Sequence, residues 1–74
     1  MDLREQKYVC TLAELGNLTR AAERLYISQP ALSIYITNLE KNLGIPLFDR
    51  SGKKLTLTYA GDQYVEKAMK MLEL

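Results

Sequence analysis

Residues 18–39 read LTRAAERLYISQPALSIYITNL, and two helices and the corner between them are legible in this stretch. Leu18, Ala21, Ala22 and Leu25 fall at i, i+3, i+4 and i+7, the apolar stripe of a short helix with Thr19 as its expected N-cap. The two alanines have almost no side chain, so another helix can approach closely. Tyr26-Ile27 reads as a turn, with Ile27 pointing inward as a plug. Ser28 opens a longer helix, and Pro30 sits in its first turn, where a missing N–H does no harm. Leu32, Ile36, Leu39 and Leu43 mark its buried stripe. Leu43-Gly44 stops it, and Pro46 prevents continuation. Two helices joined by a turn this short form a helix-turn-helix.

Upstream, Leu3, Tyr8, Leu12 and Leu15, with Val9 and Cys10 alongside, predict a first helix. Asp2 is its expected cap, with Glu5 reaching back, and Gly16-Asn17 its end. Downstream the period changes to alternation. Residues 46–50 and 54–57 flank Ser51-Gly52-Lys53 as a small hairpin, with Leu55 and Leu57 facing in. Thr58 then caps a last helix in which Gly61, Tyr64, Val65, Ala68 and Leu72 share a face. Met69 and Met71 widen that apolar arc beyond what one small-domain neighbour needs. No stop signal precedes Leu74, so the chain is expected to be a piece of a longer protein, cut within this helix.

The expected fold class is therefore mainly α: a three-helix core with a small β-hairpin wing. Residues 1–58 form the winged helix-turn-helix, with the helix-turn-helix at about 18–37 and the wing at about 46–57. Residues 59–74 begin a further helix.

The 74 residues allow one small domain. No apolar run exceeds three residues, so neither a membrane-spanning helix nor a secretory leader is expected. One cysteine and no histidine leave no internal disulfide, no zinc finger and no Ser-His or Cys-His pair. Cys10 reads as a small core hydrophobe. The carboxylates read as scattered on solvated helix faces, and the isolated glycines form no phosphate-cradling loop. An enzyme is not expected. The net charge is only +1, whereas a nucleic-acid binder is often strongly basic. The charge is nevertheless uneven: residues 1–40 carry four basic against five acidic side chains, and residues 41–74 carry six against four. The tightest basic cluster is Arg50-Ser51-Gly52-Lys53-Lys54.

The face of the third helix opposite its stripe carries Gln29, Ser33, Ile34, Thr37 and Asn38, with Ser28 and Pro30 at its tip. A Gln side chain can pair bidentately with adenine, Ser and Thr can take base edges or phosphates, and Ile can meet a thymine methyl. The free amides of the first turn suit a phosphate. The same face also fits an ordinary solvated helix surface. Arg50, Lys53 and Lys54 around a tight Ser-Gly turn fit a phosphate clamp, or simply a solvated turn.

The run Leu18-Thr19-Arg20-Ala21-Ala22-Glu23-Arg24-Leu25, followed by Ile27-Ser28-Gln29-Pro30-Ala31-Leu32-Ser33 and Ile36-x-x-Leu39-Glu40, resembles the helix-turn-helix signature of LysR-type transcriptional regulators. Residues 43–50 resemble that family's wing, and residues 55–61 its junction into the linker helix. The resemblance implies the N-terminal DNA-binding domain of a cytoplasmic, dimeric or tetrameric bacterial regulator, with residues 59–74 as the start of its linker helix and Val65, Ala68, Met69 and Leu72 as dimerisation residues on the wide apolar arc of that helix. Such a domain needs no cofactor, and a small-molecule effector would bind a C-terminal region outside this chain. The partner implied is double-stranded DNA. Carried over, Ser28, Gln29, Pro30, Ser33, Ile34 and Thr37 would meet bases or nearby phosphates, while Thr19, Arg50, Lys53 and Lys54 would hold the backbone. The departures are Ile34, Tyr35, Thr37 and Asn38, where the family often has polar or basic residues, and Gln6, which replaces a usual apolar one. The first four remove charge from the recognition helix and shift expected readout from guanine towards adenine and thymine methyls. The alternative is a winged-helix module that docks protein through exposed Ile34 and Tyr35, or an autonomous small dimeric regulator.

Overall fold

In a computed structural model that describes residues 3–73, four helices and one two-stranded antiparallel sheet follow in the order α1 (Arg4–Leu15), α2 (Leu18–Leu25), α3 (Gln29–Leu43), β1 (Phe48–Asp49), β2 (Thr56–Leu57) and α4 (Tyr59–Leu72). Val9, Leu12, Ala21, Ala22, Leu32, Ile36, Leu39, Leu47 and Phe48 form the buried core. The helix-turn-helix and the wing thus share one core, and α4 packs back along α1. Among the described residues, no helix is long and apolar enough to cross a membrane.

Local chemistry sets the boundaries. Gly16 ends α1 with φ +62°, the left-handed conformation that glycine reaches without penalty. Asn17, not Thr19, caps α2: its side-chain oxygen accepts the Arg20 N–H at 2.9 Å. The extended backbone at Asn17 begins the helix two residues earlier than expected, so Thr19 lies exposed inside the first turn. Tyr26 takes a left-handed conformation, and the Ile27 N–H reaches back to the Ala22 carbonyl, which turns Ile27 against the core. Ser28 caps α3 as expected by accepting the Ala31 N–H at 3.2 Å. The expected Asp2 cap of α1 lies outside the described residues. Leu3 occupies the cap position without a side-chain bond, and Glu5 is used elsewhere.

Two further expectations change. Leu43 is 48% exposed and does not complete the α3 stripe. The chain turns at Gly44 and returns to Glu40, and Leu47 and Phe48 enter the core instead. The hairpin is also shorter than the alternation predicts, pairing only Phe48 with Leu57 and Asp49 with Thr56. The Leu55 N–H donates to the Gly16 carbonyl instead of to the other strand, which ties the second arm to the α1–α2 corner. The connection is therefore a wide loop over residues 50–55 and not a tight Ser-Gly turn. Asp49 Oδ1 holds its start by accepting both the Ser51 N–H and hydroxyl, and these bonds keep the Asp49 carboxyl below its usual value.

Candidate nucleic-acid interface

The outward surface of α3 is built by its capping. Because Ser28 satisfies the Ala31 N–H, the first turn forms cleanly and its hydroxyl proton is left to donate outward. Beyond it, Pro30, Ile34 and Asn38 are exposed at four-residue spacing, while Gln29, Ser33 and Thr37 lie half-buried on the adjoining row. These rows form one continuous helical surface. Ile34 is 61% exposed, an apolar group standing among short polar ones. From Leu25 to Leu39 the chain carries no charged side chain. Tyr35 is different: it is half-buried, with its ring edge-on to Tyr8 of α1 at a centroid distance of 4.7 Å. It braces α3 against α1 and does not join Ile34 in an exposed patch.

The wing brings positive charge to a second surface. A concavity of about 270 Å³ is lined by Gly16, Asn17, Leu18, Arg50, Gly52, Lys53 and Leu55. Arg50 and Lys53 thus face the start of α2, where Thr19 is exposed. Lys54 is exposed at its head, but its aliphatic stem lies over Gly16, where an added β-carbon would sit 2.7 Å from Lys54 Cε. The Leu55–Gly16 backbone bond holds this arrangement in place.

Glu40 is the organising residue that the sequence reading left among solvated carboxylates. Its Oε2 accepts the backbone N–H groups of Leu47 at 2.6 Å and Phe48 at 3.1 Å, and its Oε1 lies 3.7 Å from Arg50 Nη2. One carboxylate therefore joins α3 to the base of the wing and steadies Arg50. A signal existed: an acid near a helix C-terminus opposes the helix dipole, and no basic residue lies three or four positions away to compensate.

The α4 surface divides in two. Ala68 is only 2% exposed, buried by packing within this chain. Val65, Met69 and Leu72 line a mainly apolar groove of about 560 Å³ against Cys10, Ala13 and Leu57, with Lys7, Thr11 and Glu14 on the α1 side. Cys10 is half-buried on the groove wall instead of in the core, and burial pushes its thiol pKa up. Tyr64 donates its hydroxyl to Glu5 Oε2, a pairing the sequence reading also missed. A Tyr on an apolar face implies a partner for its O–H, and that was the available signal.

These features have close counterparts. A family model described as "Bacterial regulatory helix-turn-helix protein, lysR family" matches residues 3–62. The chain is 46% identical over 74 residues to the HTH-type transcriptional regulator TfdS of Cupriavidus pinatubonensis, covering all of this chain and 25% of that protein. It is 44% identical over 73 residues to the Hca operon transcriptional activator HcaR of Escherichia coli, covering 99% of this chain and 25% of HcaR. It thus spans about a quarter of the length of these curated relatives. Among solved structures, the BenM DBD in complex with catB site 1 DNA superposes with a TM-score of 0.90 at 39% identity, over 97% of this chain and 80% of that one. With its sequence signature, its wing and its helix-turn-helix all matched in order, the chain belongs to the LysR family of bacterial regulatory helix-turn-helix proteins.

Proposed function

We propose that this chain binds duplex DNA sequence-specifically, as the DNA-binding part of a transcription regulator, with α3 in the major groove and the wing on the sugar-phosphate backbone. The observation that carries this reading is the pairing of two unlike surfaces on one core. One is the uncharged, hydrogen-bonding face of α3, and the other is the basic concavity between the wing and α2. Base edges call for the first and phosphates for the second. The likeness to the BenM DBD in its DNA complex supports the same reading.

In this reading Gln29 and Ser33 meet base edges, Ile34 packs on a thymine methyl, and Ser28, Pro30 and Thr37 lie beside them. Thr19, Arg50, Lys53 and Lys54 hold phosphates. The role is binding and not catalysis, and it needs no cofactor in this chain. Val65, Met69 and Leu72 would meet a second copy, doubling a modest footprint. An effector would act on a region outside these residues, and the cytoplasm is the compartment in which such a regulator meets its DNA. The rival, a protein-docking module built on Ile34 and Tyr35, is disfavoured because Tyr35 packs on Tyr8.

The test is binding-site selection from random duplex DNA, followed by Gln29→Ala on the selected site. The expected loss is about 1–3 kcal/mol, with relaxed choice at one base position. Equal loss on selected and random DNA would sink the Gln29 assignment, and failure to select any sequence would sink the reading.

A further inference from the structure

The α4 helix is fastened to the rest of the fold at three points in its first half. Thr58 Oγ1 donates to the Pro46 carbonyl at 2.8 Å and accepts the Gly61 N–H at 3.0 Å. Gly61 lies directly on the Leu47 backbone, where an added β-carbon would be 2.0 Å from the carbonyl oxygen. Tyr64, one turn further on, donates its hydroxyl to Glu5 of α1. Thr58 and Gly61 sit at the helix start and together act as a pivot. Beyond Tyr64 the helix borders α1 across a groove in which Val65, Met69 and Leu72 stand opposite Cys10 and Ala13, with Lys7, Thr11 and Glu14 also on the α1 side, and apolar contact resists sliding or swinging only weakly, because it has no direction. The Tyr64–Glu5 bond is directional and bridges residues 59 positions apart.

We propose that Tyr64, through Glu5, is a positioning residue that fixes the direction in which α4 leaves the DNA-binding domain. In a dimer joined through α4, it thereby sets which half-site spacing is accepted. This rests on the DNA-binding reading above. The lever arm makes the effect measurable. Fourteen residues of helix span roughly 21 Å, so a tilt of about 10° moves the far end by about 4 Å, close to one base-pair step of about 3.4 Å. A half-buried tyrosine hydroxyl that merely filled space would not act on spacing.

The experiment uses the protein with any sequence that follows Leu74 retained, and probes of paired half-sites whose separation is varied by single base pairs. Wild type is expected to favour one separation by about tenfold over its neighbours. Tyr64→Phe, which keeps the ring, is expected to cut that preference to about threefold or less, with single half-site affinity changed less than about twofold. Glu5→Ala is expected to match Tyr64→Phe without adding to it in the double variant. Glu5→Gln, which keeps an acceptor oxygen, is expected to restore the wild-type preference. Unchanged spacing preference in Tyr64→Phe would overturn the proposal. So would equal loss on single and paired sites, the mark of a merely structural role. A wild-type protein that binds no duplex at all would instead overturn the DNA-binding reading itself.

Discussion

The Glu40 carboxylate accepts the Leu47 backbone N–H at 2.6 Å, and through that bond the end of the recognition helix is joined to the beginning of the wing. The same oxygen also serves Phe48, whose side chain enters the core. Helix and wing are therefore not two modules that happen to adjoin. The carboxylate that orients one also seats the other, with Arg50 held nearby. Glu40→Ala leaves two backbone donors without an acceptor at a part-buried site. A loss of about 2–4 kcal/mol in urea unfolding is expected, with the wing amides losing exchange protection before those of α1.

Gly61 makes the second prediction. The α-hydrogen that a β-carbon would replace faces the Leu47 carbonyl, and no rotamer can relieve a β-carbon because the obstacle is backbone. Gly61→Ala is expected to cost about 2–4 kcal/mol, even though alanine is the better helix former by about 1 kcal/mol. Denaturant midpoints of the two proteins measure this. A stabilised variant would mean that α4 does not lie against the wing base.

Gln6 makes the third. Its Oε1 is buried without a hydrogen-bond partner among the described residues. Removing an unsatisfied buried acceptor is favourable, so Gln6→Leu is expected to stabilise the fold by about 1 kcal/mol. Thermal unfolding at matched conditions reads this directly.

The Tyr64–Glu5 bond makes a pH prediction. Burial first, then the bond to Glu5 and its charge, push the Tyr64 hydroxyl well above its ordinary value of 10.0. A group whose pKa is raised on folding contributes stability that is fully present below its unfolded value. That contribution is lost as pH rises towards the folded one. Wild-type stability is therefore expected to fall above about pH 10, and Tyr64→Phe to fall less steeply over the same range. Parallel curves would show that the hydroxyl does not titrate with folding.

How much of this was legible beforehand follows from range. The helix-turn-helix was readable because its determinants are local: the Ala21-Ala22 pair, the Ser28 cap, the Leu32–Ile36–Leu39 stripe and the Gly44 stop each act within one or two turns. The α2 start shifted because two capping residues stand close together, and Asn17 had the extended backbone that Thr19 lacked. Leu43 and the width of the wing loop depended on bonds between distant residues, Glu40 with Leu47 and Leu55 with Gly16, which no periodicity records. The candidate interface was legible as a set of residue types. That Tyr35 turns inward to Tyr8, and that Ala68 is used up within the chain, required the packing itself.

The charge of +1 sharpens the final test. Three basic groups on the wing, Arg50, Lys53 and Lys54, carry the proposed backbone contacts, so binding by this chain alone is expected to be weak and salt-sensitive. The most direct measurement is the affinity for mixed-sequence duplex DNA across a salt series, made on wild type, Lys53→Ala and Lys54→Ala. Log K is expected to fall against log[salt] with a slope of about −2 to −3 per chain, and each variant to flatten it by about 1. A slope near zero, or slopes unchanged in both variants, would contradict the account.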